Sequence, residues 1–318
     1  MVDLADLAAW TPVALHLNPP SIDWCDLRGA RFAEPFLDQT VERLVAEGRA
    51  LARTDLDALL ALDSAPSLEP DGIVLHLSRC GSTLVSRLLA TVPGVLVVAE
   101  PAPLNTLLQA DPARIDRAAR IRVLRLLARA LGRIRFGDER RYVLKLSSWN
   151  VRRADLLLQA FPAAKFAWVQ REPAEVMASL LAEPPGWLAL HARPRVAEHL
   201  FGIPPDETAA LDRVAFAARA LGAMLAAAAD LPGPVVDYRD LPAAVWTRVA
   251  PSFGIGLDEE AVARMQQESR FDAKRPVAVA YEHRIRHDIT PEIVAAAVSP
   301  AAVYAALGHA RVACSSSS

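Results

Sequence analysis

Residues 75–89 read LHLSRCGSTLVSRLL. An apolar run enters a Ser-Arg-Cys-Gly-Ser-Thr turn and leaves it with apolar residues at helical spacing, so the stretch predicts a strand running into a helix. Backbone N–H groups in such a turn, together with the positive end of the helix dipole, bind phosphate. Gly81 lets the backbone approach closely, Ser82 and Thr83 carry hydroxyl donors, and Arg79 adds a planar cation. A nucleotide triphosphatase loop needs the pattern G-x-x-x-x-G-K-[ST], its lysine reaching the β- and γ-phosphates. Here Ser82 stands at the lysine position and His76 at that of the first glycine, and no clear metal-binding Asp follows a strand. The loop therefore suits a nucleotide with a short 5′ group, handled without magnesium. An ordinary capping turn is the other reading of the same residues.

Working outward, short apolar runs alternate with helical patterns. Strands are expected at 72–77, 94–100, 141–146, 164–171 and 234–238. Helices are expected after the loop, over 112–134 as one helix or a pair, over 151–161, over 173–182 and over about 208–230. This alternation implies a parallel sheet with helices on both faces. Residues 63–72 are rich in turn formers and read as a loop, and 183–207 read as irregular. The N-terminal segment reads as an irregular arm followed by a helix carrying Phe36, Val41, Leu44 and Val45. The expected organisation is an arm and helix over 1–65 packed on a main α/β domain over 66–318.

The bulk composition agrees with that outline. The chain has 318 residues, 53% hydrophobic and only 6% aromatic, which favours a helix-rich α/β protein. A formal charge of −2 provides no global basic field for nucleic acid or an anionic membrane. Cys25, Cys80 and Cys314 are too scattered for a disulfide framework or a zinc site and suit a reducing compartment. Asp3 and Asp6 stand where a signal peptide needs basic residues, so a cytoplasmic location is expected. The stretch AFAARALGAMLAAAADL is interrupted by Arg219, and no membrane span is expected. His283 and His287 beside Glu282 mimic a metal pair only superficially. Arg122, Arg125, Arg129 and Arg133 form a helical stripe that reads as a solvated face.

Ligands of open parallel sheets sit outside the C-terminal strand ends. If the five strands are parallel, one rim collects the Ser78–Thr83 loop, Glu100, Lys145, Ser147, Ser148, Arg171, Tyr238, Arg239 and Asp240. Arg171 leaves a strand and Ser179 follows eight residues later on a helix. That pair resembles the 3′-phosphate signature of sulfotransferases, and SRCGSTL, some 90 residues earlier, resembles their 5′-phosphosulfate loop. The resemblance spans about 72–241. It implies an α/β, P-loop NTPase-like three-layer fold with a central mainly parallel sheet, of sulfotransferase type, and a bacterial-like enzyme using 3′-phosphoadenosine 5′-phosphosulfate (PAPS) without a metal.

Carried over position by position, the resemblance gives Arg79 to the bridging or sulfuryl oxygens. Cys80, Gly81, Ser82 and Thr83 go to the loop that cradles the 5′-phosphate, Arg171 and Ser179 to the 3′-phosphate, and Tyr238 to adenine. Lys274 and Arg275 lie where a basic segment often closes over the donor. Cytosolic members place a catalytic His two residues after the strand-end Lys; here Lys145 is kept and the His position is Ser147. Glu100, 21 residues after Arg79, resembles the catalytic Glu of tyrosylprotein and bacterial carbohydrate sulfotransferases. Structural capping or pairing with an Arg is its other reading. The implied reaction is sulfuryl transfer to a hydroxyl or amine of a small-molecule, carbohydrate or lipid acceptor, releasing 3′-phosphoadenosine 5′-phosphate. A P-loop small-molecule kinase and a non-catalytic nucleotide-binding homologue are the alternatives. Trp187, His191, Arg193, Arg195 and His199 in 183–208 are candidates for an acceptor pocket or lid.

Overall fold

The computed structural model describes residues 7–32, 34–61, 65–273 and 287–315, with side chains up to 308. The N-terminal part holds β1 (Thr11–Leu17), β2 (Pro20–Cys25), α1 (Leu37–Ala46), β3 (Leu51–Thr54) and α2 (Asp57–Ala61). The main unit continues with β4 (Gly72–His76), α3 (Ser82–Ala90), β5 (Val95–Ala99), α4 (Ala102–Leu108), α5 (Arg117–Leu131) and β6 (Arg141–Lys145). A 3-10 turn (Ser148–Arg153), α6 (Ala154–Ala160), β7 (Lys165–Gln170), α7 (Pro173–Ala182), α8 (Pro194–Phe201), α9 (Pro205–Ala210), α10 (Arg213–Ala227) and β8 (Val235–Asp237) follow. α11 (Glu259–Glu268) and α12 (Pro291–Ser315) complete the order.

The main sheet has the order β5-β6-β4-β7-β8, and every neighbouring pair is parallel. All five residues of β4 are buried, as a central strand covered on both faces requires. α3 packs with α11 and the turn at Val245–Val249 in one layer. α5, α6, the 148–153 turn, α7, α10 and α12 connect through contacts in the other. The three-layer α/β arrangement expected from the sequence is therefore the observed one. Leaving β4, the chain crosses to β5 at one edge, and after β6 it crosses to β7 on the other side of β4. The strand order thus reverses beside β4, where open sheets place their ligands.

Three expectations are corrected. The N-terminal segment is a second, antiparallel sheet in the order β1-β2-β3, not an irregular arm. The helix expected at 112–134 is α5 alone, preceded by the unforeseen α4. The arginine stripe is not one solvated face. Arg133 is 4% exposed and donates to the Leu7 and Trp10 carbonyls, and its guanidinium lies 5.4 Å from the Trp24 ring centroid. Arg125 donates to the carbonyls of Gln159 and Ala160, and Arg129 pairs with Glu69. The stripe ties α5 to the N-terminal sheet and to α6. The first 18 residues of α12 are long and apolar enough to cross a membrane by length and composition; α12 packs on α10, α7 and β8.

Candidate active site

The loop after β4 is built to bring backbone to the rim. The Leu77 N–H donates to the Val169 carbonyl at 2.8 Å, adding a last parallel rung before the chain turns. Arg79 (φ 58°) and Gly81 (φ 86°) then take left-handed conformations, and α3 starts at Ser82. A Cβ on Gly81 would stand 2.7 Å from Leu241 Cδ1 and 3.0 Å from Tyr238 Cδ2, so only glycine lets this turn close against the segment after β8. The first N–H groups of α3 have no intrahelical acceptor and point out of its positive end. Ser82 and Thr83 are buried in that first turn. Cys80 turns inward, its Sγ donating to the Val169 carbonyl at 3.2 Å. Burial pushes its thiol up to about 12, so it is a packed, unreactive side chain that offers the rim only its backbone.

At the ends of β5 and β6 sits a compact charged cluster. Lys145 is fully buried and its Nζ donates to Glu100 Oε1. Ser147 Oγ donates to Glu100 Oε2 at 2.9 Å, and His76 Nε2 lies 3.6 Å from Oε1. The Glu100 N–H donates to the Lys145 carbonyl at 2.7 Å, which fixes the bend at φ 52°. Among the described residues, Arg79 and Glu100 are the two non-glycine residues with positive φ. Each such backbone costs about 1–3 kcal/mol and persists where surrounding structure over-determines it. Burial would raise the Glu100 carboxyl, but the Lys145 ammonium outweighs it and holds the group well below the ordinary carboxylate range. Phe36, just before α1, lies over Lys145 with Nζ 4.8 Å from the ring centroid. The N-terminal part thus reaches the rim, which the sequence pattern did not reveal.

The other end of the rim gathers the second motif. Arg79 Nε donates to Ser179 Oγ at 2.8 Å, and its other arm pairs with Glu183. Arg171 pairs with Glu175 at 2.7 Å, and its guanidinium carbon lies over Tyr238, 4.4 Å from the ring centroid. The two separated motifs are therefore in direct contact, Arg79 on Ser179 and Gly81 beside Tyr238. Each cation of the rim rests on a carboxylate. Glu183 is exposed and Glu175 is half-buried at the surface, so an arriving polyanion can replace them at modest cost. Arg239 belongs elsewhere: it pairs with Asp237 and donates to Tyr304 Oη at 2.8 Å, fastening α12 to β8.

The segment expected to be irregular at 183–207 is helical, with a 3-10 turn at Gly186–Ala192 and then α8 and α9. Of its candidates Trp187 reaches the loop, its indole N–H 3.4 Å from Ser78 Oγ. His191 and His199 lie at backbone carbonyls of Leu188 and Gln109, and Arg193 and Arg195 are exposed. Lys274, Arg275, Glu282 and His283 lie outside the described residues. Sequence reasoning missed Phe36, Glu175 and Glu183, because nothing in a single sequence marks which side chains fold back onto a rim.

A family model described as "Sulfotransferase family" matches residues 73–241. Among solved structures, a sulfotransferase from Mycobacterium avium is 17% identical, covering 67% of this chain and 69% of that one, with a TM-score of 0.40. The sulfotransferase domain from the curacin biosynthetic pathway is 14% identical over 73% of this chain and 97% of its own, with a TM-score of 0.39. That from the Synechococcus PCC 7002 olefin synthase is 16% identical over 74% and 95%, with a TM-score of 0.38. A search of curated proteins returns no match.

Proposed function

The chain belongs to the sulfotransferase family, and from that premise we propose that it transfers a sulfuryl group from PAPS to a hydroxyl or amine of its acceptor, with Glu100 taking the acceptor's proton. The observation that carries this reading is the meeting of both motifs on one rim: Arg79 bonded to Ser179, Arg171 stacked on Tyr238, and Gly81 closed against the same Tyr238.

The residues fit such a donor. The N–H groups of the Gly81 turn and the first turn of α3 suit one phosphate, and Arg171 with Ser179 suits a second, while Tyr238 supplies a flat face for a base. The donor brings a sulfuryl group already activated by a phosphate leaving group. Everything else is asked of the protein. Arg79 and Lys145 place positive charge where negative charge develops on the leaving oxygen, the work a magnesium ion shares in triphosphate chemistry. Glu100 is held as a carboxylate by Lys145, the protonation state a base requires. Ser147, at the position where cytosolic members carry His, donates to Glu100 and orients it instead of acting as base. Free, buried Cys25 and Cys80 fit a reducing cytoplasm.

The test is turnover of PAPS carrying labelled sulfate against a mixed metabolite extract. The native chain should label a discrete product. Glu100→Gln should bind 3′-phosphoadenosine 5′-phosphate as the native chain does while transfer falls by about 10²-fold or more. Full activity in Glu100→Gln removes it as base. Donor binding by the native chain without any labelled product would make the protein a binding homologue.

A further inference from the structure

β4 ends on a histidine with an unsatisfied ring nitrogen. His76 is 6% exposed and its Nδ1 lies 3.0 Å from the Leu77 carbonyl oxygen. Its Nε2 is buried without a hydrogen-bond partner. A carbonyl oxygen only accepts, so the neutral ring carries its proton on Nδ1 and a lone pair on Nε2. That lone pair faces Glu100 Oε1 at 3.6 Å, beyond hydrogen-bond length. Two acceptors are thus aimed at each other in a buried place, an arrangement made favourable by a proton arriving between them.

The charged groups around the ring are Glu100 at the end of β5 and Lys145 at the end of β6. On the other side β7 sets Val169 opposite His76. Arg79, three residues on, is engaged with Ser179 and Glu183. Among the described residues, the acidic partner within 4 Å of Nε2 is Glu100.

We propose that His76 is a positioning residue of the transfer reaction, receiving through Glu100 the proton that the acceptor gives up. This rests on the reading of Glu100 as base. The acceptor oxygen forms its bond to sulfur as the bond from sulfur to the 5′-phosphate oxygen breaks, and that oxygen leaves with the electron pair. The acceptor's proton passes to a Glu100 oxygen and from there to His76 Nε2. A neutral imidazole beside a carboxylate becomes an imidazolium beside a carboxylate, and the added charge is the transferred proton. The reason for a second group is the strength of the first. A carboxylate clamped by a buried ammonium keeps a proton poorly. An imidazole is the side chain that ordinarily takes one up near neutrality.

His76→Gln keeps a polar side chain at the end of β4 and removes the imidazole. It should bind 3′-phosphoadenosine 5′-phosphate as the native chain does, and transfer of labelled sulfate from PAPS to the metabolite extract should fall at least about tenfold. The acid limb of transfer against pH should move to lower pH, because Glu100 alone then sets it. The double variant with Glu100→Gln should be no slower than Glu100→Gln alone, since groups acting as a unit are not additive. A native rate with an unmoved acid limb, or a double variant slowed by the product of the two single losses, overturns the relay. Nitrogen NMR of the His76 ring tests the contact without donor, acceptor or a folded His76 variant. Glu100→Gln should shift the Nε2 resonance and leave Nδ1 in place, and insensitivity of both nitrogens overturns the proposal. Absence of transfer by the native chain overturns the transfer reading and the relay with it; transfer with insensitive ring nitrogens overturns the relay alone.

Discussion

Lys145 is an ammonium group with no exposed surface, and its partner carboxylate sits on a strained backbone. A buried pair of this kind is poor evidence of stability, because desolvating both charges offsets much of their attraction. Breaking it is a different matter. Lys145→Met leaves the mostly buried Glu100 without its counter-charge and should cost about 3 kcal/mol in denaturant unfolding. The double variant Lys145→Met/Glu100→Gln should recover most of that loss. The pair also sets a pH response. The folded Glu100 carboxyl lies below its ordinary value of 4.5, so its ionised form stabilises the fold above that pH and the contribution fades as pH falls toward the folded value. Acid unfolding below pH 4.5 should therefore be shallower for Glu100→Gln than for the native chain. Glu100 was legible by its distance from Arg79, and Lys145 by its place at a strand end. The contact of His76 with them was not, because a strand pattern does not say which face of β4 the ring leaves from.

At the scale of elements, the five parallel strands were readable because each is a short, nearly continuous apolar run, the mark of a strand buried on both faces. The N-terminal strands were not. β1 and β2 are separated by Asn18 and Pro19, carry Pro12 and Pro20 at their starts, and hold His16 and Asp23 as a cross-strand pair at 2.9 Å. Those polar and proline positions imitate a loop. The segment 183–207 misleads for a related reason. Pro194 and Pro205 each occupy a helix's first position, where proline is tolerated, so residues that read as breakers are starts. The arginine stripe of α5 shows a third limit: periodicity identifies a face without saying what covers it. Arg133 donates into two carbonyls of the N-terminal part and burial pushes its guanidinium down to about 10. Arg133→Ala should loosen the N-terminal sheet from α5, costing about 2–3 kcal/mol in unfolding. Limited proteolysis should then cut before residue 66 first. Simultaneous, native-like protection of both parts would show the tie to be dispensable.

At the scale of the whole molecule, a net charge of −2 hides a local concentration of Arg79, Lys145 and Arg171 on one sheet rim. The fold does this by topology: the strand order reverses beside β4, and the loops after β4 and β7 meet there although about 90 residues separate them. Each cation is parked on a carboxylate, so the rim stays compensated until a stronger anion arrives. The central claim is that this rim is the donor cleft. Calorimetric titration with 3′-phosphoadenosine 5′-phosphate tests it most directly. The native chain should show saturable one-site binding, weakened by about 1.5–3 kcal/mol in Arg171→Ala through loss of a charge-assisted phosphate contact. No saturable binding, or native affinity in Arg171→Ala, would contradict it.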